Sequence, residues 1–157
     1  MLDIQKVTTE GPALESIKTL FKAYLGELNE DLCFQSFDSE IDNPLYKYSA
    51  PTGALFIATY NAIPVGCIAL QSLQEPQTCE MKRLYVDPEY RNLKIGNALV
   101  KALLQEAQLL GYTTMKLDTL ERLQAAIKLY QKFEFETVNA YYDNPLPGVV
   151  YMQKDLR

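Results

Sequence analysis

The chain has 157 residues, of which 48% are hydrophobic and 22% charged, with a formal net charge of −5 and no histidine. That length and composition fit one globular domain over residues 1–157 with a full core. Without histidine, Ser-His-Asp and Cys-His catalysis and most zinc sites are excluded, and the negative balance argues against nonspecific binding to nucleic acid or an anionic membrane.

No apolar run is long enough to span a bilayer and no cleavable leader pattern opens the chain, so a cytoplasmic location is expected. Cys33, Cys67 and Cys79 are odd in number and lack metal-ligand spacing, which predicts buried reduced thiols. An anionic ligand must be held by a local site, and Lys82, Arg83, Arg91, Lys94 and Lys101 are expected to gather around one.

In chain order, residues 2–7 alternate as a short strand. Gly11-Pro12 then opens a helix whose apolar positions Leu14, Ile17, Leu20, Phe21, Tyr24, Leu25 and Leu28 recur at three and four. Residues 31–48 are mixed and read as a short second helix or an ordered loop. Two strands at 55–60 and 65–70 form a hairpin, and a third follows at 79–86 after the turn at Glu75-Pro76. A helix begins at Ile95 and can be capped by Gly111. A strand at 113–119, a helix at 123–133 and two strands at 136–140 and 149–154 complete the order, without repeats or linkers.

The junction at residues 84–99 is the most informative stretch. An apolar strand ends in Asp87-Pro88 and reopens as a helix through a basic turn bearing Arg91, Lys94 and Gly96. Unpartnered N–H groups and the dipole of a first helical turn favour an anion such as phosphate, and the two cations add to that field. A solvated basic turn is the plainer alternative.

With this element order, the turn Arg91-x-x-Lys94-x-Gly96-x-Ala98 resembles that of the GCN5-related N-acetyltransferases. The run Met81–Arg91, the helix end Ala126–Tyr130 and the segment Phe133-Glu-Phe135 carry the same resemblance. The ending Tyr141–Met152 is similar to that of a bacterial subgroup of mostly unassigned substrate. The resemblance implies an α/β (α+β) acyl-CoA N-acyltransferase fold. Its sheet is mixed and mostly antiparallel, with about six to seven strands flanked by about four helices and splayed between strands 4 and 5. It also implies acetyl-CoA as cosubstrate with no metal, an amine of a small molecule or peptide as acceptor, and no nucleic-acid or membrane partner. A homodimer is left open.

Carried onto this chain, the resemblance places pantetheine along Leu84, Tyr85 and Val86, and the pyrophosphate on Arg91, Asn92, Leu93, Lys94, Ile95, Gly96, Asn97 and Ala98. Tyr130 matches the general-acid tyrosine. Glu80, read as sharing a strand face with Leu84 and Val86, is the candidate base, since aminolysis needs a neutral amine. Leu123 stands where many relatives have an Asn that contacts coenzyme A. Phe34, Tyr141, Tyr142 and Asn144 are candidates for the acceptor pocket.

Two departures from the pattern stand out. Lys94 and Glu134 occupy places where relatives carry glycine, and each is expected to adopt, at a cost, a left-handed backbone. A noncatalytic acyl-CoA-binding module, or a transferase using another acyl donor, is the competing reading.

Overall fold

The computed structural model describes residues 1–32 and 35–157. Its elements are β1 (Leu2–Lys6), α1 (Pro12–Leu28), α2 (Phe37–Asp42), α3 (Pro44–Lys47), β2 (Ala54–Tyr60), β3 (Ile63–Ser72), β4 (Thr78–Val86), α4 (Ile95–Leu109), β5 (Thr114–Leu120), α5 (Gln124–Lys132), β6 (Glu136–Val138) and β7 (Val149–Asp155). A 3₁₀ helix over Pro88–Leu93 leads into α4. The mixed stretch at 31–48 thus holds two short helices, too rich in Asp and Ser to show a clear period from sequence.

Seven strands form one sheet in the order β1-β2-β3-β4-β5-β7-β6. Every neighbouring pair is antiparallel except β4–β5. Strand β2 shows why the sheet is buried on both faces. Ala54, Phe56 and Ala58 pack with α4 and Tyr130 of α5, while Leu55 and Ile57 pack with α1 and Phe37 of α2. Side chains alternate across a strand, so a run that is apolar throughout needs cover on both sides.

Strand β4 carries the feature that shapes the site. In its ladder with β3, Tyr85 faces Cys67 and Lys82 faces Ala69, so Arg83 and Leu84 together oppose Ile68. This is a β-bulge, and Arg83 sits in it at φ 60°. A bulge reverses the in–out alternation and bends the strand. Beyond it, Leu84 and Val86 pack with the α4 core alongside Met81, and Tyr85 packs with the α1 side. Glu80 lies between Cys79 and Met81 in sequence, both in the α4 core, and so faces the opposite way. The expectation that Glu80 shares a face with Leu84 and Val86 is therefore corrected, because counting by two fails across an extra residue.

The bend also opens the sheet. Parallel pairing of β4 with β5 covers only Thr78↔Thr114, Cys79↔Met115 and Glu80↔Lys116, after which the strands diverge.

Candidate active site

The divergence leaves a groove bounded by Leu84, Tyr85 and Val86 on one wall and by Leu123–Ala126 and Leu129 on the other, about 550 Å³ in volume. Asp87 donates its N–H to Val65 O, so the ladder turns the polar groups of Asp87 and Tyr85 toward β3 and those of Val86 toward the groove. The Arg91 guanidinium bears this out, its Nε donating to Val86 O at 2.8 Å.

At the mouth, Asp87 caps the 3₁₀ helix by accepting from the Glu89 N–H at 2.9 Å. Lys94 then starts α4 at φ 59°, ψ 28°, with no side-chain cap, so the left-handed backbone expected of this lysine is present. Ala98 N–H is the first to bond within the helix, to Lys94 O at 3.2 Å, leaving the N–H groups of Ile95, Gly96 and Asn97 without a partner among the described residues. Gly96 permits the close approach of α5, since a Cβ there would lie 3.2 Å from Leu129 Cδ2.

Of the residues predicted for this ligand, Leu84, Tyr85, Val86, Arg91, Lys94, Gly96 and Asn97 line the groove. Asn92 and Leu93 do not, Ile95 is a core side chain, and the Ala98 amide is spent inside the helix. The cations also divide. Arg91 and Lys94 stay at the junction, with Arg91 also paired to Glu27 of α1. Lys101 is exposed on α4. Arg83 is buried between rings, 4.4 Å from the Phe37 centroid, and bonds both oxygens of Glu40 at 2.6 and 3.0 Å.

The inner end of the groove is lined by Tyr130, Leu84, Asp118 and Asn144. Tyr130 is buried, which raises the pKa of its phenol, and no hydrogen-bond partner among the described residues engages its hydroxyl. Its place is set by the end of α5. Glu134 N–H bonds Gln131 O at 2.9 Å, Phe135 N–H bonds Tyr130 O at 3.0 Å, and the rings of Tyr130 and Phe135 meet edge to face at 6.0 Å. This is a Schellman ending, with Glu134 at φ 70° in the position glycine favours.

On the other face of β4 a second cavity of about 540 Å³ is bounded by Glu80, Lys82, Gln35, Lys116, Tyr141 and Tyr142, among others. Glu80 accepts from Gln71 Nε2 at 2.7 Å and from Tyr141 OH at 2.5 Å. Burial and the Glu80 charge raise the pKa of the Tyr141 phenol, so it remains a donor. Tyr142 donates to Asp118, which also accepts from Asn144 Nδ2 at 2.7 Å. Tyr141 and Tyr142 thus come to the predicted acceptor side, whereas Asn144 lies at the groove. Phe34 and Cys33 fall outside the described residues. Cys67 and Cys79 are buried free thiols, with burial pushing Cys79 up to about 12.

The sequence model of the acetyltransferase (GNAT) family matches residues 14–135. The chain belongs to that family. An uncharacterized N-acetyltransferase of Schizosaccharomyces pombe is 45% identical over 144 residues, spanning 91% of this chain and 88% of that one. The N-acetylaspartate synthetase of Danio rerio is 35% identical over 103 residues, 65% of this chain but only 36% of that longer protein. Among solved structures, the PaiA N-acetyltransferase of Thermoplasma acidophilum in complex with coenzyme A has the same fold. Its TM-score is 0.76 at 19% identity, over 99% of both chains. A fission-yeast relative at 45% identity gives no support to a specifically bacterial subgroup.

Within this GNAT framework, sequence reasoning missed Asp118, Arg122 and the place of Lys82 in the wall of the second cavity. Asp118 and Arg122 sit on β5 and the loop after it, and only the opening of the sheet turns them toward the groove. Arg122 also donates to Leu28 O across that opening. No local motif marks them. The one available signal was the cluster of charges in 80–83, Glu-Met-Lys-Arg, inside a strand otherwise buried.

Proposed function

We propose that this chain is an acetyl-CoA-dependent N-acetyltransferase acting on a primary amine of a small molecule or peptide, in the cytoplasm. The observation that carries the reading is the open edge of β4 running into the unpartnered start of α4, with Tyr130 at the inner end of the same groove. An extended pantetheine adds to an exposed strand edge as another strand would, through the polar groups of Val86. Its pyrophosphate meets the N–H groups of Ile95–Asn97, with Arg91 and Lys94 beside them.

A backbone N–H near Leu84 polarises the thioester carbonyl. Tyr85, whose N–H faces β3, is not available for this. The neutral amine attacks the carbonyl carbon, a C–N bond forms, and the tetrahedral intermediate collapses with loss of the C–S bond. Glu80 takes the proton from nitrogen, directly or through water, and the Tyr130 phenol gives its proton to the departing thiolate. The products are an N-acetyl amide and coenzyme A.

Release of free thiol from acetyl-CoA across an amine panel tests this reading. Amine-dependent thiol release supports it. Tight coenzyme A binding with no amine-dependent turnover would instead favour the noncatalytic module.

A further inference from the structure

The acceptor cavity is more cationic than the rest of the molecule. Lys47, Lys82 and Lys116 border it against Glu75 and Glu80, in a chain whose net charge is −5. Resting on the acetyltransferase reading, we propose that the acceptor is a free amino acid whose carboxylate is held by Lys82.

Lys82 and Arg83 are neighbouring buried cations with opposite circumstances. The Arg83 side chain, 2% exposed, has both carboxylate oxygens of Glu40. The Lys82 side chain, 6% exposed, has a neutral partner, Gln35 Oε1, at 3.2 Å. Glu80 Oε1 is 3.9 Å away, beyond hydrogen-bond reach, and both oxygens of that carboxylate already accept from Gln71 and Tyr141. A buried charge left without a bonded counter-charge is costly, and an incoming carboxylate removes that cost. Burial and the Arg83 charge lower the Lys82 pKa, a trend that such a ligand reverses.

Position gives the second argument. Among the described residues, Lys82 alone lines both the acceptor cavity and the inner end of the groove. In an amino acid one carbon separates amine from carboxylate. A carboxylate on Lys82 therefore leaves the amine at the junction of the two cavities, between Glu80 and the thioester end of the groove. The other two lysines of the wall are already matched, Lys116 to Glu75 at 2.9 Å and Lys47 to Glu40 at 3.4 Å, which leaves Lys82 as the cation that an incoming carboxylate would meet. A polyamine or a lysine side chain of a protein would bring further cations or no anion to this wall.

The test compares L-amino acids with their α-amides and decarboxylated amines as acceptors for the whole protein, with coenzyme A affinity measured separately by calorimetry. The expected result is that at least one free acid is acetylated with kcat/KM tenfold or more above its amide and its decarboxylated amine. Lys82→Met should then raise KM for that acid tenfold or more, while Lys82→Arg restores most of it. Equal use of acid and amide, or turnover of none of the panel, overturns the proposal even if coenzyme A binds. Failure of coenzyme A to bind overturns the acetyltransferase reading as well. The acid–amide comparison uses the unaltered protein and stands even if a Lys82 variant does not fold.

Discussion

Glu134 and Gly111 hold the same place in two copies of one helix-ending motif. After α4, Gly111 N–H bonds Gln108 O at 3.1 Å, Tyr112 N–H bonds Ala107 O at 3.0 Å, and Gly111 has φ 91°. After α5 the same two bonds are made around Glu134 at φ 70°. A side chain in the left-handed region costs about 1–2 kcal/mol, and a carboxylate also opposes the negative end of the helix dipole. Glu134→Gly should therefore be neutral or stabilising by up to about 1 kcal/mol in a urea titration at pH 7, glycine's unfolded-state entropy taking back part of the gain. The motif also seats Tyr130 against Phe135. Tyr130→Phe should keep that seating and the coenzyme A affinity, while lowering kcat by about 10²- to 10⁴-fold in a thiol-release assay. A loss of only a few-fold would assign thiolate protonation to another group.

Strand β4 shows how far element-level reading of the sequence reaches. Its existence, its antiparallel pairing with β3 and its exit through Asp87-Pro88 followed from period and turn chemistry, as did α1, α4 and α5. The bulge did not, because nothing in Lys82-Arg83-Leu84 marks a left-handed arginine, and every side chain beyond it was assigned to the wrong face relative to Glu80. What holds Arg83 is tertiary: Glu40 from α2, in the stretch least legible by pattern. Burial alone would raise the Glu40 carboxyl, but the hydrogen bond and charge of Arg83 outweigh it and hold it below its ordinary value. Stability from such a depressed carboxyl is full above its unfolded pKa, about 4.3, and is lost as pH falls through the folded one. Glu40→Gln strands a buried guanidinium and should cost about 3–5 kcal/mol at pH 7. The variant should also show a shallower loss of stability below about pH 4 than the parent, read by denaturant midpoints across pH.

Across the whole molecule, the excess of acidic residues leaves anion binding to a few placed groups. Arg91 bridges from the groove mouth to Glu27 of α1, so a phosphate arriving there competes with a carboxylate for the same guanidinium. Arg91→Ala should weaken coenzyme A binding by about 1.5–3 kcal/mol and flatten its salt dependence. Glu27→Gln should act in the opposite direction and tighten it, both by calorimetry at two salt concentrations. Glu27 lies far from Arg91 in sequence, and no spacing rule announces the contact.

Among the described residues, the three residue pairs that join β4 to β5 are the only ladder between a four-stranded and a three-stranded part of the sheet. So short a seam makes β5-β7-β6 a candidate for partial opening as a unit, below the free energy of complete unfolding. A ligand lying along the groove edge of β4 and against α5 spans that seam and stitches the two parts together. Amide protons of β5 and β7 should then exchange with solvent through this opening in the free protein. They should slow on addition of coenzyme A by an amount that grows with its concentration, reaching about 2.7 kcal/mol of protection at a hundredfold excess over Kd. Protection confined to α4 and the turn before it would show that the seam does not open independently.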